Sequence, residues 1–313
     1  MSRICRALGE LAVPHPAAAV AIGKFDGIHL GHADVIGGLV RHARANDLAA
    51  VVFTFEDNPQ RTIRPESTPM NLMGAERRAD LIEALGPDEI VMVPFDLDFS
   101  QIPAEVYARE VLAGQLNARH IIVGEDFRFG HRAAGNVELL RQLGPELGFT
   151  VEAVREVLDA GGERISSTRI RQALTEGRVE DAAGMLGRPA EVIGEVVHGD
   201  ARGRELGFPT ANLGGEMSGF VPGDGVYAGW AWHGHTRYPA AISVGINPTF
   251  RVSGQSRVEA FLLDASLDLY GERLRVEFTH RLRDMVAYAG VPALIEQMDA
   301  DVVLTRELLG LTG

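Results

Sequence analysis

The chain holds 313 residues with 30 basic and 43 acidic side chains, giving a net charge of −13. At roughly 150 residues per domain, that length predicts two domains, each able to bury its own core. Of the basic residues, 29 are arginine and one is lysine, Lys24, and this asymmetry excludes several chemistries. A phosphate loop of the G-K-[ST] kind fails, because Lys24 lies in Gly23-Lys24-Phe25. A Schiff-base or kinase-type lysine would have to be Lys24 itself. Any phosphate must be held by arginine, histidine, hydroxyls and backbone amides. The acidic balance argues against broad nucleic-acid or anionic-membrane binding. Cys5, the single cysteine, excludes an internal disulfide and a thiolate metal cluster. No run of about 18 apolar residues is present to span a bilayer. Glu10 and Pro14 interrupt the apolar stretch at the start, so a cytoplasmic location is expected.

In chain order, the first half alternates short apolar runs with helical patterns. Strands are predicted over 17–22, 49–55, 90–95, 120–124 and 149–157. Helices are predicted over 35–45, 76–85, 104–113 and 137–143. Such alternation implies a parallel sheet with crossover helices, a Rossmann-like α/β architecture. Ligands then bind beyond the carboxyl ends of the strands, in the loops after Ile22, Phe55, Val123 and Val157. From about residue 187 the grammar changes. Segments 191–197, 225–232, 239–244, 258–263 and 273–279 read as β-strands between Gly, Pro, Asn and Asp turns. Their spacing predicts an antiparallel barrel or sandwich. A closing helix is predicted over 291–309. The domain boundary is expected in the short join 184–189, giving domains 1–186 and 187–313.

After the first strand comes Gly23-Lys24-Phe25-Asp26-Gly27-Ile28-His29-Leu30-Gly31-His32. Its glycines let backbone approach a ligand, and a helix starting near His32 presents unpaired amides with a positive dipole end. Two histidines three apart could meet one phosphate there, and imidazoles with amides suffice for nucleotidyl transfer. A zinc pair, or a turn with incidental histidines, is the alternative. A second segment follows the last strand, Arg164-Ile165-Ser166-Ser167-Thr168-Arg169-Ile170-Arg171. Hydroxyls at a helix start cap amides, and Arg171, one turn on, can face the same anion. An ordinary cap with surface arginines would read alike.

Together, H-x-G-H early and I-S-S-T-x-x-R late resemble the nucleotidyltransferase module of prokaryotic bifunctional riboflavin kinase/FAD synthetases. Gly124-Glu125-Asp126-Phe127-Arg128-Phe129-Gly130 is similar to that family's G-x-N-F-x-F-G loop. The resemblance implies AMP transfer from ATP to FMN, giving FAD and pyrophosphate. It implies that His29 and His32 stabilise the transferring phosphate. It places ATP against Gly23, Phe25, Asp26, Gly31, Arg164, Ser166, Ser167, Thr168 and Arg171. Asn58, Asp126 and Arg128 fall in the flavin or nucleotide loops. Two positions depart from the pattern. Phe55-Glu56-Asp57-Asn58-Pro59 stands where F-D-P-H-P is usual, and Asp126 stands where asparagine is usual. A carboxylate at 126 would repel phosphates unless Mg²⁺ or an arginine such as Arg128 lies between. The expectation is an adenylylation that is retained but slower or altered in metal dependence.

The β-rich half opens on the run 194–213, with glycines at 194, 199, 203 and 207 that make a flap able to close on phosphates. Thr210 and Asn212 alternate onto one face and offer neutral oxygens suited to Mg²⁺ or a phosphate. A Gly-rich hairpin would explain the glycines but not Pro209-Thr210-Ala211-Asn212. The run resembles the riboflavin kinase signature, as do Gly225-Val226-Tyr227-Ala228-Gly229 and Gly245-Ile246-Asn247-Pro248-Thr249. The resemblance implies a six-stranded barrel with ATP against Gly194, His198, Gly199, Arg202, Gly207, Phe208 and Asn247. It implies that Thr210 and Asn212 hold Mg²⁺–ATP and that Glu259 is the general base for riboflavin's 5′-hydroxyl. Phe261 stands where histidine is usual, and Met285 where an acidic residue is usual. The resemblance covers nearly the whole chain and implies that riboflavin, FMN and ATP are its partners. It points to no nucleic acid or membrane and leaves a homo-oligomer open. Two rivals stand beside it, a flavin-binding regulator and a kinase with an inert first domain.

Overall fold

The structure is a computed structural model that describes residues 2–199, 207–245 and 257–311. By contacts the chain divides into two compact units, residues 1–166 and 167–313. The proposed phosphate-binding residues Arg202 and Asn247 lie outside the described residues.

Unit 1 carries a six-stranded sheet built from β1 (Arg3–Cys5), β2 (Ala18–Ile22), β3 (Ala49–Phe55), β4 (Glu89–Val93), β5 (Ala118–Gly124) and β8 (Thr150–Val154). The order is β1-β4-β3-β2-β5-β8 and every pairing is parallel. Helices α1 (Leu30–Ala45), α2 (Pro59–Ile63), α3 (Ala75–Glu83), α4 (Leu97–Ser100), α5 (Ala104–Val106) and α6 (Val137–Leu147) connect the strands. A two-stranded ribbon, β6 (Arg128–Phe129) with β7 (Gly135–Asn136), lies between β5 and α6. Both sheet faces are covered, which is why the strands read as unbroken apolar runs. Ala19, Ala21, Val52, Ile90 and Met92 pack with Ile36 and Leu39 of α1 and Ile82 of α3. Val20, Ile22, Phe53, Val91 and Val123 face the other way, toward Tyr107, Leu112 and Leu140.

The predicted strands of this unit are all found, with ends moved by at most three residues. Strand β1 escaped the periodicity reading because three residues on a sheet edge carry no period. Helix α1 starts at Leu30, five residues before its predicted start, and α6 runs through Pro145 to Leu147.

Unit 2 opens with α7 (Ser167–Thr175) and α8 (Val179–Leu186). These helices belong to it by packing. Leu174 O accepts from Gly223 N at 2.8 Å, and Glu180 Oε1 accepts from Arg281 N at 2.9 Å. The rest is a closed antiparallel barrel in the order β10-β13-β12-β11-β14-β9. Its strands are β9 (Ala190–Val197), β10 (Thr210–Ser218), β11 (Gly225–His233), β12 (Thr236–Gly245), β13 (Arg257–Leu262) and β14 (Arg273–Arg283). The six-stranded barrel is thus as expected, and closure removes exposed sheet edges. Helix α9 (Val291–Leu308) follows and is tied to β14 by a fork. The Arg283 guanidinium donates to the Asp301 carboxylate at 2.7 and 2.9 Å, and Gln297 Nε2 donates to the same group at 3.0 Å.

Candidate active sites

In unit 1 the sheet order reverses at β2, whose neighbours are β3 and β5. Such a switch point opens a crevice at the strands' carboxyl ends, where α/β proteins seat ligands. The loop 23–29 leaves β2 there. Its backbone is held in the left-handed region at Phe25 (φ 48°), Gly27 (φ 92°) and Ile28 (φ 38°). For a β-branched residue this is a strained conformation, of the kind that clusters at functional sites. The buried Phe25 ring occupies the space a side chain at Gly23 would need, at 3.0 Å. Asp26, also buried, accepts from Leu72 N at 2.8 Å and fixes the loop's far side. Lys24 is exposed.

His29 caps α1, its Nδ1 accepting from His32 N at 3.3 Å. That bond commits Nδ1 as acceptor and leaves the neutral ring's proton on Nε2, a donor. The His32 ring stacks on it with centroids 3.6 Å apart. A Cβ at residue 31 would meet the His29 ring at 3.2 Å, so Gly31 makes room for it. Burial, then the neighbouring His29 and Arg78, hold His32 well below its ordinary pKa. Its Nδ1 is buried with no hydrogen-bond partner among the described residues. An uncharged, partnerless imidazole nitrogen beside a helix amino terminus suits a ligand that brings its own polar atoms.

Sequence reasoning missed Arg78. It is 2% exposed, and its guanidinium donates to Glu56 O at 2.8 Å and to Phe55 O. Burial lowers its pKa from the ordinary value, against the Asp26 and Asp57 carboxylates, which favour its charge. On the sequence it is one of two adjacent arginines in an ordinary helix, and no local signal separates it from Arg77.

Asn58 caps α2, accepting from Gln60 N at 3.1 Å. A histidine there would replace that short cap, so Asn58 has a local structural role. Asp126 is paired with Arg164 at 2.9 Å, and Glu156 grips the same guanidinium at 2.5 Å. The arginine that neutralises Asp126 is therefore Arg164 rather than Arg128, which is exposed on β6. In unit 2, Ser167 begins α7, with Thr168 exposed and Arg171 one turn further on; Ser166 ends unit 1.

The second site lies on the barrel. Strand pairing sets Asn212 opposite Glu259, and Glu259 opposite Ser243 on the next strand. Directly opposed residues share a face, so amide, carboxylate and hydroxyl form one polar row across three strands. Thr210 and Phe261 are opposite each other on the same face, two residues along. The intervening Ala211, Leu213, Val258 and Ala260 are buried on the other face. Asn212 is only 8% exposed, and its Nδ2 donates to Thr210 O at 3.3 Å. A Cβ on Gly199 would fall 2.5 Å from the Asn212 amide, so glycine is what lets that backbone close over it. Glycine is also required at 207, where φ is +87°. Within β9, Gly194 faces Leu213, whose Cβ would lie 3.2 Å from an added methyl. His198 stacks on Tyr270 at 3.8 Å, which anchors the approach to Gly199.

Glu259 faces Arg257 at 3.5 Å, a neighbour that sequence reasoning did not single out. Phe261 packs edge-on against Phe208 at 5.3 Å, giving the departure from histidine an apolar role. Met285 reaches the row, with its sulfur 3.7 Å from Ser243 Oγ.

A parallel sheet with an anion-ready helix terminus at its switch point, followed by a closed barrel bearing a carboxylate–amide row, defines a two-unit phosphate-transferring enzyme. Comparison with known proteins identifies which one. Residues 12–169 match the family model described as FAD synthetase, and residues 186–309 match that described as riboflavin kinase. A bifunctional riboflavin kinase/FMN adenylyltransferase from Escherichia coli (strain K12) is 34% identical over 99% of both chains. Its counterpart from Buchnera aphidicola subsp. Schizaphis graminum is 31% identical, again over 99% of both. A crystal structure of a macrolide-efflux protein from Streptococcus pneumoniae has a TM-score of 0.87 at 32% identity, covering 97% of this chain and 98% of its own. The chain belongs to the bifunctional riboflavin kinase/FMN adenylyltransferase family. It phosphorylates riboflavin with ATP to FMN and transfers AMP from ATP to FMN, giving FAD and pyrophosphate. No described helix is long and apolar enough to cross a membrane.

Proposed function

We propose that the two steps are run by two separate sets of residues, adenylylation by those of 1–186 and riboflavin phosphorylation by those of 187–313. In support, the FAD synthetase match ends at 169 and the riboflavin kinase match starts at 186. The observation that carries the adenylylation assignment is the stacked His29–His32 pair at the start of α1. As FMN's phosphate oxygen attacks the α-phosphorus of ATP, charge builds on the α-phosphate oxygens. The His29 Nε2 proton and the α1 amides would stabilise it, with no covalent intermediate. Gly23, Phe25, Asp26 and Gly31 shape the loop beneath the nucleotide. Arg164, Ser166, Ser167, Thr168 and Arg171 hold the β- and γ-phosphates and the leaving pyrophosphate. Asn58, Asp126 and Arg128 border the flavin.

For the kinase step, Glu259 accepts the proton of riboflavin's 5′-hydroxyl as the γ-phosphoryl group arrives. The buried Asn212 Oδ1 and the Thr210 hydroxyl are hard, neutral oxygens that fit Mg²⁺. Bound there with ATP, Mg²⁺ would neutralise charge on the β- and γ-phosphates. Gly194, His198, Gly199, Arg202, Gly207, Phe208 and Asn247 complete the phosphate cradle. The His29→Ala/His32→Ala double variant, given riboflavin, ATP and Mg²⁺, should accumulate FMN and form no FAD, as read by chromatography of the flavins. FAD formation at the unaltered rate would overturn the adenylylation assignment.

A further inference from the structure

At the opposite end of the parallel sheet, three side chains from three elements converge. His42 is near the carboxyl end of α1, His120 near the start of β5, and Glu152 in the middle of β8. One ligand atom from each lies within 4.8 Å of the other two. His120 pairs with Ala19 of β2 in the sheet register, one residue from that strand's start. The group is thus at the amino-terminal edge. Thirteen residues of α1 at 1.5 Å each put it about 20 Å from His29.

Hydrogen bonds from both ring nitrogens orient His120. Thr150 donates its hydroxyl proton to Arg119 O at 3.4 Å, so its Oγ1 can accept from His120 Nδ1 at 2.8 Å. With Nδ1 a donor, the lone pair of the neutral ring is on Nε2. That nitrogen faces Glu152 Oε2 at 3.3 Å. In that tautomer two acceptors are turned toward each other, an arrangement that a metal ion between them would satisfy. The His42 ring stacks on His120 at 3.7 Å and 11°, which brings a second imidazole to the group.

We propose that His42, His120 and Glu152 bind one divalent transition-metal ion of the zinc class, at a site separate from the His29–His32 pair. Two neutral imidazoles and one carboxylate form a borderline ligand set that suits zinc rather than Mg²⁺. Water would fill the fourth position. Thr150 is the outer partner that orients a ligating histidine. Parallel lone pairs do not meet at one ion, so binding splays the stack by turning the half-buried His42. The ion would then pin the end of α1 to the β5–β8 edge.

The test is zinc titration of the chelator-stripped full chain by calorimetry, without nucleotide or flavin, paired with thermal unfolding. One zinc per chain and a raised melting temperature are expected. His42→Ala and Glu152→Gln, both at accessible positions, should each weaken binding at least about tenfold and abolish the thermal shift. In metal-free buffer both variants should melt like the parent. Cobalt in place of zinc should give the visible absorption of a tetrahedral site in the parent alone. Absence of zinc uptake overturns the proposal, as does uptake undiminished in either variant. Loss of uptake in His29→Ala/His32→Ala with both edge variants unaffected would also overturn it, by assigning the metal to the other histidine pair.

Discussion

His32 has an ordinary imidazole value of 6.5 in the unfolded chain and a lower one in the fold, because burial, His29 and Arg78 oppose its charge. Below that ordinary value the unfolded chain takes up a proton that the native chain refuses. Stability is therefore complete above about pH 6.5 and falls as the pH drops from there toward the folded value. His120 shifts in the same direction and adds to the slope. Urea unfolding of the full chain should show a midpoint that falls below about pH 6.5, less steeply in His32→Gln. Equal slopes would mean that His32 is not the group being protonated. A second residue-scale consequence concerns Asp126. Its pairing with Arg164 holds in place an arginine assigned to ATP, and phosphate must compete with two carboxylates for it. Asp126→Asn removes one competitor at an exposed pair, worth a few-fold at most. The KM for ATP in adenylylation should fall by up to about fivefold, with FMN formation from riboflavin unchanged. A rise in that KM would show that the pair positions Arg164 rather than restraining it.

Among the elements, α9 illustrates what holds a segment the barrel does not need for closure. Its attachment runs through Asp301, 6% exposed and gripped by Arg283 and Gln297. Asp301→Ala leaves the Arg283 guanidinium, itself mostly buried, without its counter-charge. The cost should be roughly 3 kcal/mol, the usual loss when one partner of a buried pair is removed. A lowered thermal midpoint for unit 2 would confirm it, and an unchanged one would place the pair among weak surface contacts. Local patterns made most elements legible. Strands β2, β3 and β4 of unit 1 read as apolar runs because both faces are covered, and β12, β13 and β14 of the barrel alternate because one face is wet. What escaped was set by distant contacts. The three residues of β1 become a strand only by pairing with β4. The helices α7 and α8 carry nothing that says which unit they pack on, and their bonds to Gly223 and Arg281 decide it.

Across the whole molecule, the lone lysine marked out the chemistry in advance. Lys24 is exposed, and the residues assigned to both steps are histidines, arginines, hydroxyls, carboxylates, amides, two phenylalanines and glycine backbone, with no lysine among them. The motifs that carry the family resemblance were legible because they lie in contiguous loops at strand ends. Arg78 and Arg257 were not, since a buried or paired arginine looks like a surface one until the chain folds. The conversion of riboflavin to FAD through two separate residue sets is the central claim, and Glu259→Gln tests it most directly. The variant keeps its size and hydrogen-bonding reach but loses the basic carboxylate. Offered riboflavin, ATP and Mg²⁺, it should leave the riboflavin unchanged; offered FMN instead, it should form FAD at the parent rate. FMN produced from riboflavin at the parent rate, or loss of both conversions together, would contradict the account.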